Sequence, residues 1–203
     1  MMLVWAVLTG CGEPPEQGAV ASGEKKEAVT GSGAPAETPV EASLYGLPYR
    51  LTDADGRAVG LDVHRGHPTV VAMFYASCTQ ACPLMIGKVQ SILEGLDPAV
   101  RADTRVLLVS MDPERDTPEA LREAAERYHV GAPEWALTRP DPHDLRPIAA
   151  LLDVRYAAQA DGELSHTSPV TLLDREGRIV LRQAAVTDPN EPVVKAIAAL
   201  AVP

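Results

Sequence analysis

Cys78 and Cys82 stand four positions apart in the stretch VVAMFYASCTQACPLM, and they are two of only three cysteines among 203 residues. A thiol that gives up its proton becomes both a nucleophile and a metal ligand. Three chemistries fit such a pair. It could be simple core packing, since cysteine is among the most buried residue types. It could be a redox dithiol that makes and exchanges a disulfide, with a loop one residue longer than a CxxC motif. It could also be part of a metal site, where two soft thiolates favour a soft ion such as Cu(I), or zinc. Two ligands are too few for a closed zinc site, so the metal reading needs a third donor.

The elements that would position the pair can be read from the hydrophobic pattern. PTVVAMFY, Pro68 to Tyr75, is a continuous apolar run with β-branched and aromatic residues, the signature of a strand buried on both faces. After the cysteines, Leu84, Met85, Ile86, Val89, Ile92, Leu93 and Leu96 recur at helical spacing, which predicts a helix over Pro83 to Leu96 with proline in its first turn. Cys78 is then expected in the strand-to-helix loop and Cys82 in the first helical turn. The unpaired amide N–H groups of a helix start stabilise negative charge, so a thiol held there ionises more easily.

The rest of the folded part alternates in the same way. LPYRLTDADGRAV reads as a hairpin turning at Asp55-Gly56. TRVLLVSM is a second buried strand, and Thr117 caps a helix that has Pro118 at its first position. WALT reads as a short strand and PHDLRPIAALLDV as a short helix with Pro147 near its start. SPVTLLDREGRIVLRQA is a hairpin turning at Arg175-Glu176-Gly177, and NEPVVKAIAAL is a closing helix. Buried strands alternating with helices predict an α/β sheet covered by helices on both faces, with right-handed crossovers. The remaining histidines, His64, His67, His129 and His143, fall in loops or at helix ends without ligand spacing and are expected at the surface. Met73 and Met85 read as core. Asp112, Glu114, Arg115 and Asp116 follow a strand and precede a helix cap, which suggests turn-forming and capping roles.

Composition limits the classes of partner. Apolar residues make up 46% of the chain, enough for one domain with a substantial core. The net charge of −10, with no run of lysine or arginine, excludes a basic face for nucleic acid. Three cysteines are too few for a disulfide scaffold. Met1 to Leu8 is an apolar run shorter than the ~20 residues that span a bilayer. LTGC at its end resembles a bacterial lipobox, which implies a lipidated Cys11 within a signal segment over residues 1–11. The basic opening of a signal peptide is missing before it, which points to a start upstream of Met1 or a shortened chain. Residues 12–42 are rich in Gly, Pro, Ala, Glu, Thr and Ser, a composition that cannot bury enough surface to offset chain entropy and so predicts a disordered linker. The folded domain is expected over residues 43–203.

FYASCTQACP, SMDPERDTPEAL and SHTSPVTLLDREGRI resemble, in that order, three landmarks of the Sco/SenC family, and SLYGLPYRLTDADGRAV and LTRPDPHDLRPIAALLDVRY read like it too. The resemblance runs from about Ser43 to Leu200. It implies a thioredoxin-like α/β fold, with a central mixed sheet flanked by helices and an N-terminal β-hairpin. It also implies copper held by Cys78, Cys82 and His166, the third donor lying before a strand over Pro169 to Asp174. The function implied is membrane-tethered copper delivery to, or preparation of, the copper centre of a respiratory cytochrome oxidase, on the outer face of the cytoplasmic membrane. Its partners are then the oxidase subunit that carries that centre and an upstream copper donor or thiol reductant. The rival function is a thiol-disulfide oxidoreductase using the Cys78/Cys82 pair, with Cys78 attacking. A peroxide-reducing relative fits poorly, because the Thr-x-x-Cys setting with its paired arginine is absent. Two departures from the family pattern stand out. Thr79-Gln80 replace the usual Pro and Asp after the first cysteine, and Ser165 replaces the usual Asp before the histidine.

Overall fold

Two runs, Thr69 to Phe74 and Arg105 to Ser110, have almost no polar side chain to offer water. In the computed structural model, which describes residues 43–159, 164–167 and 169–200, they form the centre of the sheet. The elements in chain order are β1 (Arg50–Asp53), β2 (Ala58–Gly60), β3 (Thr69–Phe74), α1 (Ala81–Glu94), α2 (Pro98–Asp103), β4 (Arg105–Ser110), α3 (Pro118–Tyr128), β5 (Trp135–Pro140), α4 (Leu145–Leu151), β6 (Tyr156–Ala158), β7 (Leu164–His166), β8 (Val170–Leu173), β9 (Ile179–Gln183) and α5 (Glu191–Leu200). The signal segment, Cys11 and the linker to residue 42 lie outside the described residues.

Seven strands form one mixed sheet in the order β2-β1-β5-β4-β3-β8-β9. β3 pairs with β4 in parallel from Thr69↔Arg105 to Phe74↔Ser110, and β4 pairs with β5 in parallel. The antiparallel pairs β1–β2 and β8–β9 extend the sheet at its two sides. Every residue of β3 is buried, as a strand covered on both faces requires. α1 packs against α5, and α3 lies against β5 and β1. The outer hairpins turn by the same device. Asp53 Oδ1 accepts the Asp55 and Arg57 amides and Asp174 Oδ1 accepts those of Glu176 and Arg178, while Gly56 and Gly177 take positive φ angles of 79° and 82°.

Several sequence expectations change. α1 begins two residues before Pro83, and α2 is an additional helix, too short to show a hydrophobic stripe. The β5 strand runs past WALT to Pro140, paired on both sides by β1 and β4. His166 is not in a loop: it ends β7, which pairs with β6 in a separate two-stranded sheet. His64 is not a surface residue either. It is 8% exposed, with its Nε2 hydrogen-bonded to the Val106 carbonyl, while His67 is half-buried against Asp103. His129 and His143 are exposed.

Burial pushes His64 from its ordinary value of 6.5 down to about 4. The unfolded chain therefore takes up a proton before the folded one does. The stability His64 confers as a neutral core residue is complete above pH 6.5 and is lost as pH falls from 6.5 towards 4. By pH 4.5 the loss reaches about 2 kcal/mol. Urea unfolding at pH 7 and pH 4.5 should show a His64→Gln variant losing about that much less than the parent over this interval. Equal losses would show that His64 does not stay neutral in the fold.

Candidate metal centre

The parallel ladder ends at Phe74, and the chain must then turn away from the sheet towards α1. The turn is tight, with the Cys78 amide donating to the Tyr75 carbonyl at 3.1 Å. Gln80 stands at the N-cap of α1 but makes no side-chain cap. The cap is the Cys78 sulfur, which accepts the Cys82 amide at 3.2 Å. A helix start leaves that amide without a carbonyl partner, so the sulfur takes the place of a capping oxygen. Negative charge on Cys78 is stabilised by the same contact.

The two thiols differ in consequence. Burial pushes Cys78 up, but hydrogen bonds from the Cys82 amide and side chain, the Gln80 amide and the Tyr75 side chain outweigh it, so the thiol lies below its ordinary range. Burial drives Cys82 strongly upward, and the negative charges of Cys78 and Asp116 add to that rise despite an opposing hydrogen bond from the Tyr75 backbone. Of the two thiols, Cys78 is therefore the one that ionises first.

Asp116 serves neither as a turn former nor as a cap, in contrast to the sequence expectation. The cap of α3 is Thr117, whose hydroxyl accepts the Ala120 amide at 3.3 Å. Asp116 is 1% exposed, and its carboxylate accepts the Ala76 amide at 3.1 Å on each oxygen and the Ser110 hydroxyl at 2.6 Å. Arg127 donates to the Ala76 carbonyl at 2.8 Å, and the Tyr128 hydroxyl to the Cys78 carbonyl at 3.4 Å. Side chains that follow β4 or sit on α3 thus hold both backbone groups of Ala76, two residues before Cys78. Sequence reasoning missed Arg127 and Tyr128 altogether, because their partners are backbone atoms some fifty positions away.

The third donor comes from the small sheet. His166 sits opposite Tyr156, and that register is tied by the Thr167 amide to the Arg155 carbonyl and by the Arg155 amide to the Thr167 hydroxyl. His166 Nδ1 lies 3.1 Å from the Thr167 carbonyl, which can only accept. The proton is therefore on Nδ1, and the lone pair of the neutral ring is on Nε2. One donor atom from each of Cys78, Cys82 and His166 lies within 4.8 Å of the other two. Donors at the usual ~2.0–2.3 Å from an ion stand roughly 3.5–4 Å from one another, so the set needs only a small contraction to close on a metal. Tyr75, Cys78, Gln80, Ser165 and His166 face a cleft of about 400 Å³, whereas Cys82 is fully buried behind its lining. Met73 and Met85 are buried in the core.

The SCO1/SenC family model matches residues 37–201. The chain is 29% identical over 139 residues to the SCO2-like protein RP587 of Rickettsia prowazekii, an alignment that takes in 66% of this chain and 66% of that relative. ScoI of Bradyrhizobium japonicum, solved with copper bound, superposes with a TM-score of 0.62 at 24% identity, covering 76% of this chain and 98% of that one. BsSco, presented as having a disulfide switch and as a member of the Sco family of cytochrome c oxidase assembly proteins, superposes with a TM-score of 0.65 at 19% identity, covering 81% and 96%. The mixed sheet with its flanking helices is the thioredoxin-like fold of these structures.

Two outcomes follow for the metal-free, reduced protein. Substoichiometric iodoacetamide at neutral pH should label Cys78 ahead of Cys82, as read by peptide mass mapping; preferential labelling of Cys82 would reverse the assigned asymmetry. Asp116→Asn replaces an acceptor with a donor facing the Ala76 amide and the Ser110 hydroxyl. It should cost about 1–3 kcal/mol in urea unfolding. A variant as stable as the parent would show that the carboxylate is not the anchor of the cysteine loop.

Proposed function

The chain belongs to the SCO1/SenC family, and on that premise we propose that it binds copper through Cys78, Cys82 and His166 and delivers it to, or prepares, the copper centre of a respiratory cytochrome oxidase. The observation that carries the reading is the approach of two thiol sulfurs and an imidazole nitrogen to within 4.8 Å at the edge of an open cleft. Two soft sulfur donors favour Cu(I), and an imidazole extends the set to Cu(II). Copper is chosen over zinc because ScoI, which shares the fold, carries copper, and because three donors fall short of a closed structural zinc site.

Copper is the cargo of this site. Transfer is ligand exchange: a bond to an incoming thiolate of the partner forms as a bond to one of the three donors breaks. Cys78 and Cys82 must both be reduced to hold the ion. If they have joined as a disulfide, a partner dithiol supplies two electrons and two protons and leaves as a disulfide itself. No helix among the described residues is long and apolar enough to cross a membrane. Tethering is assigned to lipid on Cys11, with residues 12–42 as the linker, outside the cytoplasmic membrane.

The asymmetry of the two thiols favours a second reading, thiol-disulfide exchange on the cysteines of a target copper site. There Cys78 attacks and Cys82 resolves, and His166 has no part as a ligand. Metal titration separates the two. The reduced protein should bind one copper and the oxidised protein none, with thiolate-to-Cu(II) absorption in the loaded form. Cys78→Ser and Cys82→Ser should each abolish tight Cu(I) binding, while His166→Ala chiefly weakens the Cu(II) form. Unchanged copper stoichiometry in either cysteine variant would overturn copper binding at this site. Turnover on a disulfide substrate without copper binding would select the second reading.

A further inference from the structure

Arg127 and Tyr128 stand side by side in the last turn of α3, and each donates to a carbonyl of the cysteine loop. Arg127 Nη1 reaches the Ala76 carbonyl at 2.8 Å, and the Tyr128 hydroxyl reaches the Cys78 carbonyl at 3.4 Å. The Arg127 guanidinium carbon lies 5.9 Å from the centre of the Tyr128 ring. The Tyr128 carbonyl is held in turn from α1, by Gln90 Nε2 at 3.0 Å.

Both backbone groups of Ala76 are thereby fixed, its amide by the Asp116 carboxylate at 3.1 Å and its carbonyl by Arg127. Both backbone groups of Cys78 are fixed as well, its amide by the Tyr75 carbonyl at 3.1 Å and its carbonyl by Tyr128. A residue has only two soft backbone dihedrals, so holding its N–H and its C=O fixes where its side chain points. At Cys78 that side chain is a proposed ligand. The Cys78 carbonyl matters for a second reason. In an α-helix an amide bonds to the carbonyl four positions back, which for Cys82 is the carbonyl of Cys78. The Cys82 amide goes to the Cys78 sulfur instead, at 3.2 Å. Sulfur and carbonyl of one residue compete for that amide, and Tyr128 supplies the carbonyl with another donor.

We infer that Arg127 and Tyr128 are positioning residues for the metal centre, holding the Ala76 and Cys78 carbonyls so that the Cys78 sulfur keeps the Cys82 amide and stays aimed at the other donors. The inference rests on the copper reading above. A loop held in place before the ion arrives need not be ordered at the moment of binding, so the clamp raises affinity without touching the metal. Packing of α3 requires neither donor: its buried residues are Leu121 and Ala124, and Arg127 is exposed.

The test uses the full chain, reduced, carrying Arg127→Met, Arg127→Lys or Tyr128→Phe. In the metal-free protein the backbone amide resonance of Cys82 reports which acceptor it has. Arg127→Met and Tyr128→Phe should each move it, and Arg127→Lys, which keeps a charged donor, should leave it near its parent position. General destabilisation leaves the native resonance where it is, so this signal reads position and not stability. Under a competing chelator, Cu(I) affinity should fall about tenfold in Arg127→Met, the usual worth of a hydrogen bond to a charged group. It should fall by a smaller factor in Tyr128→Phe, whose bond is neutral and longer, and recover in Arg127→Lys. Site-specific 3-fluorotyrosine at position 128 keeps the ring and strengthens the donor. It should move the Cys82 resonance opposite to Tyr128→Phe even if the truncating variants fold poorly. A Cys82 resonance that is the same in the parent, Arg127→Met, Tyr128→Phe and fluorotyrosine proteins would overturn the clamp. So would a Cu(I) affinity that neither Arg127→Met nor Tyr128→Phe lowers. A parent protein that binds no Cu(I) would overturn the copper reading itself, and the Cys82 resonance would still decide the clamp.

Discussion

The parallel pairing of β3 with β4 sets the position of the loop that carries the two cysteines. Six consecutive pairs, from Thr69↔Arg105 to Phe74↔Ser110, lock the two strands in one register, and the Met111 amide continues the ladder to the Phe74 carbonyl at 2.7 Å. Both strands are buried, so a slip by one residue would invert which side chains face which layer. Because the two strands end together, the chain after β4 lies beside the chain after β3. That adjacency lets Asp116 reach the Ala76 amide forty positions earlier in the sequence. An amide turning away from a sheet edge inside a core needs a partner, and a buried carboxylate needs donors. Each satisfies the other, and the cysteine loop is anchored as a result.

On that anchored loop, helix-start electrostatics act on one sulfur and burial on the other. Cys78 occupies the place of a capping group and is held as the more acidic thiol, whereas Cys82 lies inside the first turn, fully buried, beside charge of its own sign. A pair so differentiated is suited to ligand exchange, where one donor leaves before the other, and equally to disulfide exchange, where one thiol attacks and the other resolves. The same physical asymmetry underlies both chemistries.

The third donor belongs to a different structural layer. β6 and β7 form a two-stranded sheet outside the seven-stranded one, and an isolated pair of strands is marginally stable by itself. The Arg155–Thr167 hydrogen bonds tie its two strands to each other, and the Tyr75–His166 ring contact joins it to the chain that follows β3. A metal bridging Cys78, Cys82 and His166 would cross-link the hairpin to the rigid cysteine loop. With the ion bound there, ion binding and hairpin order would be coupled.

The buried strands Thr69–Phe74 and Arg105–Ser110, the helix after the cysteines and the Thr117 cap were legible in the sequence, because apolar runs, helical periodicity and capping residues are local signals. Cys78 and Cys82 were legible as a reactive pair for the same reason: their spacing and the strand-to-helix transition lie within one short window. His166 as third donor came from a family resemblance and not from its own surroundings, and the β6–β7 hairpin that carries it left no alternation long enough to read. Asp116 looked like part of a turn, His64 like a surface loop residue and Tyr75 like the end of a strand. Each met a partner that only the tertiary fold brings close: the Ala76 amide, the Val106 carbonyl and the His166 ring. Sequence by itself determined which residues could be reactive. Tertiary structure decided which of them meet, because hydrogen bonds and burial depend on distances that chain separation does not encode.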